Sequence, residues 1–533
     1  MIDIDVDQVL SELDDGRFAI FSSEEQNKLF YNSINDLVIS DNDKYPKKLS
    51  GYMGFDETYV SRRKSNLTNS NIVRIFDSKK SSNLIAQYSY NKEGILLDND
   101  INAIRAKECM VYMICHTDMD GDASGSLVFN SLHYGDNVKI TRFNYEYEVL
   151  DKLILDVNVE KARNPEKKFV LFIVDLSPKI LYMTMLLSTF NKVVWIDHHA
   201  GSIPVVNELE SGDFIKSMKT NFVTSDFSYV LDTRMSATQL ALLWLHPYIK
   251  RVKETKYITG YKIAALVSVY DMKMDERFPE TYQNAVYMNQ FYWDYQTIYV
   301  FTKFWKDSFM EEYQIEYITR MLVAGKILWD LNQKKLKLMY KFDYIYKYSV
   351  QFENGKILHI RAIYGTGNSS RFVESHYQTD NEYEITLLIR YTNKPAILSV
   401  SGYTSDQLIK DVGINNVFGT FGLGQGHPGA AGMRISRKDM LKLATESIFR
   451  PTEVGEIPYY YPNEGYDNPK IPLGLDKFNV DCLFALDDIK EQIQHQYEFK
   501  QKSYHLRFEP EIDILVRTFT IIFAVMCHSK ITE

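Results

Sequence analysis

The sequence predicts an α/β chain: an open parallel sheet, a helical connector and a smaller α/β lobe, with an extension at each end. Three observations carry this. Three short runs, Met110 to Cys115, Phe169 to Val174 and Val193 to Ile196, are almost wholly apolar rather than alternating, as strands covered on both faces are. Helical stretches, Ala123 to Leu132 and Ile180 to Phe190, lie between them, and strand–helix–strand repetition implies right-handed crossovers. At 533 residues the chain is too long for one ordinary core, so two or three domains are expected.

In chain order, residues 1–107 mix short apolar patches with Asn, Ser, Lys and Asp and read as an accessory region without chemistry. Their basic triplet Arg62-Arg63-Lys64 reads as a solvated surface turn, with contact to a phosphate backbone as the alternative. The apolar strands fall in residues 108–275. Residues 276–345 are aromatic-rich and helical, with Tyr317 to Lys337 spaced as one long helix. A second α/β or sheet-rich segment, 346–448, ends in a glycine-rich loop. In 449–533, Pro451, Pro458, Pro462, Pro469 and Pro472 interrupt the chain, as in an extended link, before a small terminal element.

The bulk numbers narrow the function. With 45% hydrophobic and 25% charged residues the chain is not globally disordered. A net charge of -9 argues against a protein that tracks long nucleic acid along a basic stripe, and favours a short or small substrate. Cys109, Cys115, Cys482 and Cys527 form no CxxC pair and read as thiols of a reducing cytosol. Met1-Ile2-Asp3-Ile4-Asp5 lacks the apolar run of a signal peptide. The late apolar stretch Ile512 to Met526 contains Arg517 and is short for a bilayer. A cytoplasmic protein with no membrane partner is expected.

Each apolar strand ends in acid or imidazole. The first delivers His116-Thr117-Asp118-Met119-Asp120-Gly121, the second Asp175, and the third Asp197-His198-His199; Asp271 follows the helical run Ile263 to Tyr270. In open α/β sheets ligands bind at the carboxyl ends of strands. One carboxylate there commonly caps the next helix, but four such segments at one edge are not explained as caps. Their charges repel and desolvate one another unless a cation neutralises them. A mixed oxygen and nitrogen set suits manganese, with magnesium, cobalt or zinc as alternatives. The ligands outnumber the needs of one ion and point to a pair, which at about 3.5–4 Å apart activates water for in-line attack on phosphorus.

HxDxDG, an apolar run ending in Asp, Asp-His-His and a later Asp together resemble the four motifs of the DHH phosphoesterase family. That family includes RecJ-like exonucleases, nanoRNases, cyclic di-adenylate phosphodiesterases and manganese pyrophosphatases. The context Val194-Trp195-Ile196-Asp197-His198-His199 is similar to its oligonucleotide-cleaving members, as is Ser236-Ala237 opening a run to Leu245. Downstream, Gly424-Gln425-Gly426-His427-Pro428-Gly429-Ala430-Ala431-Gly432 resembles the GGGHxxAAG signature of the DHH-associated substrate domain. Residues this small let backbone N–H groups and a helix start approach a phosphate closely. The resemblance spans 108 to 448.

It implies that His116 and Asp118 hold one metal, that Asp120, His198 and Asp271 hold the other, and that Asp175 bridges them. His199 would contact the scissile phosphate, Asp197 would orient the imidazoles, and the second lobe would bring His427 and its glycine loop over the substrate. Asp122 in place of Asp118 also satisfies the motif in a shifted register. Gln425 stands where the family has glycine, and Ser399-Val400-Ser401 lacks the family's substrate-gripping arginine, for which Arg371 and Arg390 are the candidate replacements. The implied activity is hydrolysis of a phosphodiester or phosphate ester of a short oligonucleotide or nucleotide. Cleavage of a cyclic dinucleotide is the near alternative. A non-catalytic nucleotide sensor or assembly subunit is the alternative of another class, and the terminal extensions leave room for oligomerisation or a protein partner.

Overall fold

The structure, a computed structural model, describes residues 59–436 except for connecting segments, of which 212–225, 296–312 and 365–382 are the longest. The link and terminal element of 449–533, with Cys482 and Cys527, lie outside the described residues, as does Arg371. The chain divides into two units, Met1–Leu331 and Asn332–Glu533.

Among the described residues the first unit carries nine strands: β1 (Tyr59–Lys64), β2 (Asn71–Phe76), β3 (Leu84–Asn91), β4 (Gly94–Ile95), β5 (Cys109–His116), β6 (Lys139–Phe143), β7 (Lys168–Val174), β8 (Lys192–Asp197) and β9 (Asp226–Asp232). They form one sheet in the order β1-β2-β3-β9-β8-β7-β5-β6, with β4 paired to β3. The three apolar runs are β5, β7 and β8, side by side and parallel, as expected. Their alternate side chains enter two different cores. Val111, Met113, Phe172, Val174, Val194 and Ile196 pack under helices α1 (Met119–Leu132), α5 (Ala237–Leu245), α6 (Tyr257–Asp271) and α7 (Pro279–Tyr295). Tyr112, Ile114, Leu171, Ile173, Val193 and Trp195 pack under α2 (Tyr147–Arg163), α3 (Ile180–Thr189) and α4 (Ser202–Leu209). Burial on both faces is why these runs do not alternate. Cys109 and Cys115 of β5 are buried.

From β5 the chain steps to β6 on one side, then crosses to β7 on the other and continues outward. The winding therefore reverses between β5 and β7, and their carboxyl ends diverge there into a crevice.

The accessory region needs correction. Residues 59–91 are strands of the same sheet, joined through antiparallel pairing of β3 with β9, so the sheet is mixed rather than parallel. Their pattern is blurred because Ile72, Val73 and Ile75 are all buried while Arg74 interrupts them.

The long helix forms as α8 (Tyr313–Tyr340), and the boundary between the two units falls within it. The second unit has a six-stranded sheet of β10 (Ile345–Gln351), β11 (Ile357–Tyr364), β12 (Glu384–Tyr391), β13 (Ile397–Thr404), β15 (Ala430–Ser436) and β14 (Gly424–His427), in that spatial order. Among its described strands, β11 and β12 pair in parallel and the other neighbours antiparallel. Among the described residues, no helix is long and apolar enough to cross a membrane.

Candidate metal centre

Three neighbouring strands, β5, β7 and β8, deliver ligand-type side chains at their carboxyl ends. His116 closes β5, Asp175 follows β7, and Asp197, His198 and His199 run off β8. Asp271 arrives from another direction, as the last residue of α6.

The loop from β5 to α1 is tightly determined. His116 Nδ1 lies 2.7 Å from Asp118 Oδ2, and Gly121 N donates to Asp118 Oδ1 at 2.9 Å. A Cβ on Gly121 would fall 2.5 Å from the His116 carbonyl oxygen and 2.7 Å from its Cβ. Only glycine permits this approach. Asp120 is buried against the start of α5, where its carboxylate accepts from Ala237 N at 2.7 Å and Thr238 N at 2.9 Å. A helix N-terminus is a natural seat for that charge. These contacts explain the segment at Ser236-Ala237.

Asp175 is the hub. Its φ is 56°, a left-handed conformation that aspartate tolerates better than most residues, and its N donates to Ile196 O at 3.0 Å. Asp175 Oδ2 lies 3.8 Å from His116 Nδ1, while Oδ1 lies 3.2 Å from His198 Nε2 and 3.8 Å from His199 Nδ1. His198 Nε2 also lies 3.6 Å from Asp120 Oδ2 and 3.4 Å from Asp271 Oδ2. Three groups of potential ligand atoms result, each with all atoms within 4.8 Å: His116, Asp118 and Asp175; Asp120, His198 and Asp271; and Asp175, His198 and His199.

The electrostatics of this cluster demand a cation. Both Asp175 oxygens and Asp271 Oδ2 are buried with no hydrogen-bond partner. Burial, then the charges of Asp118, Asp120, Asp271 and Asp197, pushes Asp175 far above the ordinary carboxylate range. Burial and the charges of Asp120 and Asp118 do the same to Asp271. Acceptors left unsatisfied among like charges are costly, and a divalent ion meets both needs. The donor set therefore fits such a metal.

Asp197 behaves differently. Burial would raise its pKa, but the charge of His199 and its hydrogen bond, then His198 and the Ser202 hydroxyl, hold it below the usual range. Its Oδ1 lies 2.8 Å from His199 Nδ1, and its Oδ2 accepts from Ser202 Oγ at the start of α4. It stays ionised and fixes the ring.

Asp122 lies outside the three groups. It is buried and held by Arg142, whose Nε donates to Oδ1 at 3.0 Å and Nη2 to Oδ2 at 2.6 Å, and Tyr292 Oη donates to Oδ2 at 2.8 Å. Of the two registers open in the motif, this geometry places Asp118 and Asp120 in the cluster. Sequence reasoning missed Arg142, Tyr292, Ser202 and Thr238, since their partners are distant in the chain and no motif links them.

In the second unit, β14 pairs with β15 so that Gly424 is opposite Met433, Gln425 opposite Gly432, Gly426 opposite Ala431 and His427 opposite Ala430. The glycine segment is thus a strand pair, and the residues that follow Ser436 lie outside the described residues. Its narrow residues suit the close approach of two backbones. The side chains of His427 and Arg390 lie outside the described residues. Arg390 and Arg434 are each opposite Ser399 in the strand register, an arrangement that brings in Arg434, which sequence reasoning did not consider.

No family model matches the chain, and no curated protein does. Solved structures do match. An uncharacterized protein from Helicobacter pylori G27 is 15% identical, covering 61% of this chain and 93% of its own, with a TM-score of 0.29. The DHH domain of a member of the s1p family of ribosomal proteins is 18% identical over 64% of this chain and 87% of its own, with a TM-score of 0.41. RecJ from Thermus thermophilus, in complex with Mn2+, is 11% identical over 64% of this chain and 51% of its own, with a TM-score of 0.35. At such scores these likenesses carry no inference about activity.

Proposed function

We propose that the chain is a metal-dependent phosphoesterase of DHH type that hydrolyses a phosphodiester or phosphate ester of short oligonucleotides or nucleotides. The observation that carries this reading is Asp175. It is a buried carboxylate with both oxygens unsatisfied, shared between ligand groups at the crevice where the sheet reverses direction. In this reading His116 and Asp118 would hold one ion, Asp120, His198 and Asp271 would hold a second, and Asp175 would contribute to both. A bound pair of manganese ions, or of magnesium or cobalt, would supply Lewis acidity and lower the pKa of water.

The protein's own groups do the rest. Asp197, kept ionised, holds His199 through Nδ1 and so directs Nε2 at a non-bridging phosphate oxygen. The backbone N–H groups of Ala237 and Thr238 hold the Asp120 carboxylate in place, which keeps a ligand in position without reorganisation. Gly424, Gly426, His427, Ala430, Ala431 and Gly432 of the second unit are assigned to the substrate phosphate, with Arg371 and Arg390 as candidate cationic contacts.

The test is incubation of the purified chain with manganese and a panel of short RNA and DNA oligomers, phosphoadenosine phosphate and cyclic dinucleotides, followed by chromatography. Turnover of one class is expected, abolished by chelation, by Asp175→Ala and by His199→Ala. Manganese binding without turnover of any member of the panel would sink the reading and promote the nucleotide sensor.

A further inference from the structure

The basic triplet Arg62-Arg63-Lys64 is not a turn. It ends β1, the edge strand of the described sheet. Register places Ser61 opposite Arg74 and Arg63 opposite Ile72, so Arg63 and Arg74 leave the same sheet face as diagonal neighbours on adjacent strands. Arg62 leaves the other face. The face they share is the one that carries Tyr229, whose hydroxyl accepts from Gln87 Nε2 at 2.9 Å; Gln87 is the cross-strand neighbour of Arg74.

The two guanidiniums carry unused donors. Nε and Nη2 of Arg63 and Nε of Arg74 are buried and have no hydrogen-bond partner. Among the described residues neither forms an ion pair with a carboxylate. Glu210, the acid facing this cluster, is already engaged: it accepts from Ser65 Oγ at 2.7 Å and Asn66 N at 2.8 Å. Phe76 lies under Arg74, with Cζ 5.2 Å from the ring centroid. Burial, then the charge of Arg63, holds Arg74 below the usual guanidinium range, with Tyr229 opposing the shift. Buried donors and paired cations of this kind are costly unless an anion satisfies them.

We propose that Arg63 and Arg74 form a binding site for a phosphoryl oxyanion, separate from the metal-ligand cluster. A tetrahedral phosphoryl group offers enough oxygens to take donors from both guanidiniums at once, and arginine forks match that geometry. Arg74 lies in one cross-strand row with Gln87, Leu231 and Asp197. Three interstrand steps separate β2 from β8, or about 14 Å. A nucleic-acid strand whose backbone reaches past the crevice is one source of such a group, and free phosphate is the other. The site does not depend on the cluster being catalytic.

The test uses the full chain in chelator, so that no metal centre contributes, with ionic strength held by chloride. Thermal unfolding is followed against inorganic phosphate, and separately against a short single-stranded oligonucleotide without terminal phosphates. The wild-type midpoint is expected to rise with phosphate, and half-saturation to move about tenfold or more higher in Arg63→Gln and in Arg74→Gln. Without phosphate, both variants are expected to unfold at or above the wild-type midpoint, because each loses a repelling charge. An oligonucleotide response lost in both variants would identify a strand as the source, and a response to inorganic phosphate alone would identify free phosphate. The proposal fails if the wild type does not respond, if the response survives both substitutions, or if the variants are less stable without phosphate, which would mean that the arginines are already satisfied within the protein.

Discussion

The charge of a single residue governs how the metal-free centre responds to pH. Asp175 keeps its proton to higher pH in the native state than an ordinary carboxylate, through burial and the neighbouring acids. The unfolded chain releases that proton near about pH 3.9. The native state therefore binds the extra proton, and this stability is fully present below the unfolded value and lost as pH rises through the native one. In chelator, Asp175→Asn is expected to be more stable than wild type at neutral pH, with the difference shrinking toward acid; urea midpoints in a series of buffers measure it. Added manganese should reverse the order, because the metal needs the carboxylate. These residues were legible in sequence because each follows an apolar strand, and a strand end fixes where its next side chain emerges. What they touch was not legible. Asp120 is held by backbone N–H groups of Ala237 and Thr238, and no side-chain pattern at those positions announces such a contact.

At the scale of elements, the triad of Asp122, Arg142 and Tyr292 ties α1 to β6 and α7 directly behind the ligand loop. Tyr292 Oη also lies 3.1 Å from the Thr117 carbonyl oxygen. Sequence spacing left Asp122 as an alternative ligand, and only the arrival of Arg142 from β6 assigns it elsewhere. Removing one partner of a buried pair leaves an uncompensated charge, so Arg142→Met is expected to cost about 3–5 kcal/mol in equilibrium unfolding. Arg142→Met combined with Asp122→Leu should recover most of that loss, since the charge is then gone from both sides. A double-mutant cycle in denaturant reads the coupling directly. The strands β1 to β3 escaped the sequence reading for a related reason. Arg63 and Arg74 break an apolar pattern that cross-strand partners would otherwise have made plain.

For the whole molecule, the mixed sheet makes residues 59–91 part of the first unit's core. Val73, Ile75, Ala86 and Tyr88 belong to the same apolar cluster as Val174, Val194 and Ile196. A chain starting at residue 96 would expose that surface and leave β9 as an unpaired edge, a ready template for intermolecular pairing. Such a truncation is expected to elute as aggregate in size-exclusion chromatography, whereas the full chain elutes as a defined species.

The pairing of β3 with β9 also sets a timetable for synthesis. Tyr88 meets Asp232 across a separation of 144 residues. At about 5–20 residues per second on the ribosome, the 144 residues between them take roughly 7–30 s to emerge. A β-meander alone in water is marginal at best. During that wait β1 to β3 have no permanent partner, while β5, β7 and β8, close in sequence and joined by local crossovers, are free to assemble. Strands β1 to β3, made before β5, β7 and β8, therefore dock after them, and the nascent chain is most exposed to misassembly and chaperone capture in that interval.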